Sequence, residues 1–198
     1  MSYPDDQFTR WAQAPSETEE AKSQYTVKLI TEAINDNFGS PASLFLQGSY
    51  RNRTNIKKES DVDVVALHTD YYFSDIHGLS EEDKQKYRAG LRGSDYTFQQ
   101  YKNELIAVLQ EKFGPASVER KNKCIHVHKN EYRVNADVIP CFEHWRFRAL
   151  GDVSAIGIEL IAEDKTHVAS FPKQHIENGK DKNTLTNGDY KSQVRILK

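Results

Sequence analysis

The sequence predicts an α+β protein in which a mixed β-sheet is flanked by helices. Three observations support this fold class: a long amphipathic helix near the start, several segments with period-two alternation, and helices and strands that do not alternate regularly. The chain has 198 residues, of which 37% are hydrophobic and 28% charged, so it can bury a substantial core. This composition excludes wholesale disorder and a fibrous repeat.

The first predicted element is a long N-terminal helix. Ser16 followed three residues later by Glu19 is the capping-box pattern that begins helices. Apolar residues then recur at spacings of three and four until Gly39 and Pro41 interrupt them. We expect an amphipathic helix of about six turns.

Two short strands and two helices are predicted next. The first strand covers Ala42–Gln47 and the second covers 61–67. The pattern weakens over 69–93, which predicts a mobile insertion with one short helix. A stronger helix is expected after it, capped by Asp95 and ended by Gly114.

The second half of the chain changes to a period of two and predicts paired strands. One hairpin is expected from 124–128 and 132–139, and a shorter one from 156–161 and 168–169. These strands complete the predicted sheet.

The C-terminal part is predicted as loops and one final helix. An ordered loop is expected at 171–175 and another loop at 183–188, after which Asp189 caps a helix. That helix has barely two turns at Lys198, and its apolar residues have no downstream partner in the sequence. We therefore expect the chain to be a fragment of a longer protein.

Two aspartates stand in the second predicted strand. Asp61 and Asp63 alternate with Val62 and Val64, so the carboxylates share one face while the valines point into the core. Their Cα atoms would lie about 6.6 Å apart, which is two strand rises. Acids this close repel each other unless a cation lies between them, and oxygen ligands suit Mg²⁺ or Mn²⁺ rather than zinc. The alternative is a solvated strand face, although Asp is depleted in strands.

A glycine and a serine follow the first predicted strand. Gly48 lets the backbone approach a ligand closely, and a helix beginning there would offer N–H groups to a phosphate. Ser49 adds a hydroxyl group. An ordinary strand-to-helix turn is the alternative, but the combination with two downstream acids is more specific.

A third acid lies in another alternating strand. Asp137 shares a face with Asn135, opposite to the face that carries Val138. If this strand neighbours the strand of Asp61 in register, three carboxylates converge on one patch. Three carboxylates with nucleotide phosphates can hold two divalent ions about 4 Å apart for phosphoryl or nucleotidyl transfer. Asp137 is the candidate base for the attacking hydroxyl group.

This constellation resembles the signature of the DNA polymerase beta-like nucleotidyltransferase superfamily. More narrowly, the chain resembles the bacterial cGAS/DncV-like nucleotidyltransferases, the CD-NTases, from Phe8 onward. The resemblance is carried by FLQGSYRNRTNI at 45–56, SDVDVV at 60–65, DVIPC at 137–141, FPKQH at 171–175, NGDYK at 187–191 and VRILK at 194–198.

The resemblance implies a metal-dependent activity and assigns residues to it. Asp61 and Asp63 would hold two Mg²⁺ ions, with Mn²⁺ as the alternative, and Asp137 would hold the catalytic ion. The three aspartates would thus be both catalytic residues and metal ligands. The nucleotide-binding residues that the resemblance implies are Gln47, Gly48, Ser49 and Lys198.

The resemblance also implies how the chain is organised and what it binds. Residues 1–182 would form the nucleotidyltransferase core with its N-terminal helix, and 183–198 would begin a C-terminal helical domain that is missing. The expected partners are NTP substrates and either a regulatory protein or a nucleic acid as activator. We expect no membrane partner and a cytoplasmic location, because a signal peptide and an apolar run of roughly 18 residues are both lacking.

The predicted function is the synthesis of a cyclic di- or trinucleotide second messenger in antiphage defence. A ribose hydroxyl group would attack the α-phosphate of an NTP, and a second round would close the ring. Two alternatives stay open: a nucleotidyltransferase acting on an RNA end or a protein hydroxyl group, and a nucleotide-binding module without catalysis.

Two weaker patterns each have two interpretations. Cys124, His126 and His128 alternate on one strand face, and a solvated face is favoured over a zinc site because one strand seldom converges on one ion. A basic stretch between Ser49 and Asp61 either attracts phosphates or forms a solvated loop. Its members are Arg51, Arg53, Lys57 and Lys58.

Overall fold

Two long neighbouring strands form the middle of the sheet in the computed structural model, which describes residues 16–39, 41–52, 54 and 61–197. The elements of these residues are α1 (Glu17–Phe38), β1 (Ala42–Gln47), α2 (Gly48–Asn52), β2 (Val62–Asp75), α3 (Glu81–Gly90), α4 (Phe98–Phe113), a 3₁₀ turn (Pro115–Ser117), β3 (Val118–Arg120), β4 (Ile125–Val127), β5 (Ala136–Ala149), β6 (Asp152–Ile161), β7 (His167–Ser170), α5 (Pro172–Leu185) and α6 (Asp189–Ile196). The α+β class is confirmed.

The sheet is mixed, as the sequence predicts. Within the described residues the strand order is β1-β2-β5-β4-β3, and β6 and β7 extend the sheet from the second half of β5. The β2–β5 pair is parallel, and the remaining pairs are antiparallel. Between β2 and β5 the chain forms α3, α4 and the β3–β4 hairpin, which is the long crossover that parallel neighbours require.

Helices α1 and α4 cover one face of the sheet and form the core with it. The predicted capping box of Ser16 and Glu19 is present, and Gly39 ends α1. Ile30 and Ile34 on α1 are fully buried, as are the apolar residues of α4 that face the sheet. The Tyr101 hydroxyl group donates to the Ala66 carbonyl oxygen at 3.1 Å and so fixes α4 on β2.

The second strand is longer than predicted. The sequence predicts a strand over 61–67 and a mobile insertion over 69–93, but β2 continues to Asp75. A register shift between His68 and Tyr72 interrupts the alternation, which explains why the pattern weakens there. Beyond the shift, Phe73 stacks on Phe142 with ring centroids 5.6 Å apart. The short helix predicted within this region is confirmed as α3.

Two predicted boundaries in the middle of the chain are wrong. Helix α4 is capped by Thr97 rather than Asp95, because Thr97 and Gln100 form a reciprocal capping box. Strand β5 begins at Ala136 rather than 132, since the Asn130 side chain accepts from backbone N–H groups and holds a turn there. It continues beyond 139 because its second half pairs with β6.

The C-terminal region contains more helix than predicted. The loop expected at 171–175 is the start of α5, with Pro172 in the first turn, and α5 runs to Leu185. The loop expected at 183–188 is therefore restricted to 186–188. Gly188, in a left-handed conformation, caps α6, so Asp189 lies in its first turn instead of at the cap. Pro172 is the buried residue of α5. The helix therefore has little of the apolar periodicity from which a helix can be predicted.

None of the helices in the described ranges combines the length and apolar content that crossing a bilayer needs.

Candidate active site

The two central strands bring Asp63 and Asp137 together. In the parallel β2–β5 pair, Asp63 lies directly opposite Asp137, and the antiparallel β1–β2 pair places Gln47 opposite Asp63. Residues paired in register project from the same face of a sheet. The neighbouring register on which the sequence prediction depends is therefore present.

The valines beside these acids anchor the strands. Val62 is 0% and Val64 1% exposed, and Val138 on β5 is 0% exposed. Asp61, which lies just before β2, is exposed, whereas the Asp137 side chain is 32% exposed. Alternation along buried strands thus fixes the acids on the face away from α1 and α4.

Gly48 lies against the carboxylate of Asp63. Its φ of +67° is in the left-handed region, and a Cβ at this position would overlap Oδ2 of Asp63. Only glycine satisfies both conditions without strain. The turn between β1 and α2 therefore brings the backbone of Gly48 to the first acid of the pair.

A side-chain hydrogen bond joins α2, the helix that follows this turn, to α1. The Tyr50 hydroxyl group donates to Oε1 of Glu20 at 2.6 Å. Burial, and then the bond to Glu20, raise the pKa of Tyr50 far above its usual value, so the phenol stays protonated. This contact holds Gly48 and Ser49 in place from outside the sheet.

Asp137 lies beside two side chains of the neighbouring β3–β4 hairpin. Nδ1 of His126 lies 2.7 Å from Oδ1 of Asp137, and Cys124 lines the same cavity as Asp137. Burial, followed by the negative charge of Asp137, raises the pKa of Cys124 to about 12. The thiol therefore keeps its proton at neutral pH.

A cavity of about 370 Å³ adjoins Asp137. Gln47, Lys123, Cys124 and Asp137 line its polar part, and apolar side chains of β5, β6 and β7 line the rest. Oε1 of Gln47 is buried and has no hydrogen-bond partner among the described residues. A buried acceptor of this kind is suited to a donor group of a ligand.

The donor set fits a divalent cation by its chemistry. Asp61, Asp63 and Asp137 offer only carboxylate oxygens, which Mg²⁺ and Mn²⁺ prefer. Among the described residues, no group of three or more His, Cys, Asp or Glu side chains is arranged closely enough to hold an ion. Oδ1 of Asp137 is in contact with His126. The donor chemistry, and the register that places Asp63 opposite Asp137, fit a divalent cation.

The remaining residues that the sequence predicts to contact phosphate are basic. Lys198, Arg53, Lys57 and Lys58 are outside the described residues. Arg51 lines a second cavity, of about 290 Å³, on α2 and the sheet.

Sequence reasoning missed the partners of Asp137 and one buried lysine. The sequence favours a solvated strand face for Cys124 and His126. Their alternation on the strand expected to pair with that of Asp137 could have indicated a contact with this acid. The Lys102 side chain is 1% exposed and donates to the carbonyl oxygens of Lys121 and Asn122 at 3.0 and 3.2 Å. A lysine in the apolar period of α4 gave little indication of this role.

The mixed sheet with its flanking helices is the polymerase beta-like nucleotidyltransferase fold. Comparison with characterised proteins narrows the class. The chain is 43% identical over 198 residues to the cyclic dipurine nucleotide synthase of Elizabethkingia meningoseptica, covering 100% of this chain and 68% of that protein. It is 33% identical over 197 residues to the cyclic dipyrimidine nucleotide synthase CdnE of Cecembia lonarensis, covering 98% and 65%. No protein-family model matches the chain.

Solved structures give the same result. The Elizabethkingia meningoseptica CdnE cyclic dinucleotide synthase with GTP and Apcpp has a TM-score of 0.79 at 39% identity, covering 99% of this chain and 65% of that one. The Rhodothermus marinus CdnE c-UMP-AMP synthase with Apcpp and Upnpp has a TM-score of 0.80 at 29% identity, covering 98% and 65%. The chain belongs to the CD-NTase family of cyclic nucleotide synthases, and it spans 65 to 68% of the length of these relatives.

Proposed function

We propose that the protein containing this chain is a metal-dependent nucleotidyltransferase that makes a cyclic di- or trinucleotide second messenger from NTPs in antiphage defence. The observation that carries the proposal is the register of Asp63 opposite Asp137, beside the Gly48 turn, in a member of this family. Relatives with 43% and 33% identity are named for cyclic dipurine and cyclic dipyrimidine products.

The chain's own residues have separate roles in this proposal. The backbone of Gly48 and the hydroxyl group of Ser49 orient the donor triphosphate, and Gln47 accepts a hydrogen bond from the nucleotide. Asp137 accepts the proton of the attacking ribose hydroxyl group. The new bond joins that oxygen to the α-phosphorus, while the bond to the β-phosphate breaks and pyrophosphate leaves.

The proposed cofactor is Mg²⁺, with Mn²⁺ as the alternative. Asp61, Asp63 and Asp137 would hold two ions, with the catalytic ion at Asp137. When bound, divalent ions neutralise the charge that develops on the phosphate and leaving oxygens. Lys198 remains a proposed contact of the triphosphate.

The proposed organisation follows the same family. Residues 1–182 would form the catalytic core, and the segment from 183 would begin the helical half of the full protein. A regulatory protein or a nucleic acid is the proposed activator.

The test is product analysis of the full-length protein with Mg²⁺ and all four NTPs. After phosphatase treatment, mass spectrometry should detect a cyclic nucleotide that resists digestion. If the nucleotide is found attached to an added RNA or protein and no free cyclic product forms, the acceptor-modifying alternative replaces the proposal. NTP binding without consumption, with each proposed class of activator present, would favour a non-catalytic module.

A further inference from the structure

We propose that His126 is a positioning residue, which orients the Asp137 carboxylate so that it can bind a divalent cation together with Asp63. This inference rests on the proposed function, since it assigns Asp137 to the metal site. It is carried by a contact of its own, between the β3–β4 hairpin and β5.

Strand register places the imidazole at the carboxylate. In the antiparallel β4–β5 pair, His126 is the residue directly opposite Asp137, and Nδ1 lies 2.7 Å from Oδ1. A carboxylate oxygen accepts hydrogen bonds and does not donate them, so Nδ1 carries the hydrogen and donates. Such charge-assisted bonds are stronger than neutral ones and set direction.

The His126 side chain is itself held in place. Its neighbours Ile125 and Val127 are 0% exposed, which fixes the face to which the imidazole belongs. The ring of His128 meets the His126 ring edge-on, with centroids 4.7 Å apart and an interplanar angle of 74°. With its side chain only 16% exposed, His126 has little room to move away from Asp137.

Cys124, which directly precedes β4, lies on the same face as His126 and lines the cavity beside Asp137. The β3–β4 hairpin therefore covers one side of a carboxylate whose side chain is 32% exposed, and within that cover His126 is the side chain in hydrogen-bond contact with it.

The consequence concerns the geometry of cation binding. An ion shared with Asp63 requires the Asp137 carboxylate to keep one orientation, and side chains that hold a metal ligand typically change affinity or activity by roughly 10- to 100-fold when removed. A purely structural role for His126 would change stability and leave cation affinity unaltered.

The test uses the full-length protein with three variants. His126→Leu removes the donor at similar volume, and His126→Asn retains an amide that can donate from the position of Nδ1. His77→Leu is the matched control, at an exposed residue beyond the end of β2 that is opposite to Asp63. Mn²⁺ binding is titrated by electron paramagnetic resonance with a non-hydrolysable NTP analogue, and kcat and KM for NTP are measured separately.

We expect His126→Leu to weaken Mn²⁺ binding and lower kcat by roughly 10- to 100-fold, with KM for NTP changed less than about threefold. His126→Asn should recover most of the loss, and His77→Leu should resemble the unmodified protein. Unchanged Mn²⁺ affinity in His126→Leu, or an Asn variant no better than the Leu variant, would overturn the proposal.

A second variant covers a failure of His126→Leu to fold. His126→Phe keeps a ring at this position but has no donor, and it should also weaken Mn²⁺ binding. Unchanged affinity there would count against the proposal. Because Mn²⁺ binding is measured without turnover, a failure to detect any cyclic product would reject the proposed function separately from the role of His126.

Discussion

At the residue scale, the most constrained position of the site is Gly48. It combines a positive φ with close approach to the Asp63 carboxylate, so both its own backbone and its neighbour exclude a side chain. Gly39 offers a comparison, because it also has a positive φ, of +62°, but a Cβ there would meet nothing within 4 Å. Substitutions at the two glycines therefore distinguish the effect of backbone strain from a steric effect on Asp63.

We expect Gly48→Ala to lower kcat by roughly 100-fold, because the new methyl group displaces the Asp63 carboxylate. Gly39→Ala should keep its activity. Both variants should lose about 1 to 2 kcal/mol in free energy of unfolding from the left-handed backbone. Steady-state kinetics and urea denaturation measure the two effects. Equal activity of the two variants would show that Gly48 does not position Asp63.

At the element scale, an ion pair between the buried Lys102 and the exposed Glu163 fixes the β3–β4 hairpin that supports Asp137. Nζ of Lys102 on α4 lies 2.6 Å from Oε1 of Glu163, which also accepts from Arg120 on β3 at 2.9 Å. The same ammonium group donates to the carbonyl oxygens of the hairpin turn. This Lys102 cluster joins α4, the hairpin and the end of β6, and it holds the turn that precedes Cys124.

The Lys102 cluster makes stability depend on pH in a defined direction. The bonds from Lys102, and then from Arg120, lower the pKa of Glu163 from its usual 4.5. A folded-state pKa below the unfolded value gives a contribution that is complete above about pH 4.5 and is lost as pH falls through the folded pKa.

We therefore expect Glu163→Gln to cost about 1 to 2 kcal/mol in free energy of unfolding at pH 7, a modest value because Glu163 is 40% exposed. The difference from the unmodified chain should shrink as pH falls below about 4.5. Urea denaturation at pH 7 and pH 3 measures it, with Glu111→Gln on the exposed part of α4 as the control. A difference that stays constant between these pH values would contradict the assignment.

Sequence patterns predicted the elements whose local signals agree with their burial. The capping box of α1, strand β1 and the β6–β7 hairpin belong to this group. Two segments were not predicted, each for a different reason. The second half of β2 follows a register shift that breaks the alternation, and α5 buries too little to be periodic.

The acids of the candidate site could be predicted from the sequence, whereas the residues that hold them in place were harder to predict. Period-two alternation predicts that Asp63 and Asp137 each lie on the face of their own strand opposite to the valines. Whether the two acids meet depends on which strands become neighbours, and that is a property of the whole sheet. The bond of His126 to Asp137 depends on a second pairing, that of β4 with β5. Lys102 could not be recognised, because its partners are distant in sequence.

At the scale of the whole molecule, the two faces of the sheet have different tasks. One face is covered by α1 and α4 and forms the core, while the other carries the acids and the cavity beside them. The parallel β2–β5 pair is the feature that joins these tasks, since its buried residues set the register of its acidic ones.

The central claim is that Asp63 and Asp137 act together in nucleotidyl transfer. Its most direct test is cyclic product formation by the full-length protein with Asp63→Asn or Asp137→Asn, and with Asp70→Asn as the control on an exposed part of β2. Asparagine keeps the volume but removes the charge that a divalent cation requires. We predict that either substitution at the site abolishes the product without changing the melting temperature by more than a few degrees, while Asp70→Asn remains active. Undiminished product from Asp63→Asn or Asp137→Asn would contradict the claim.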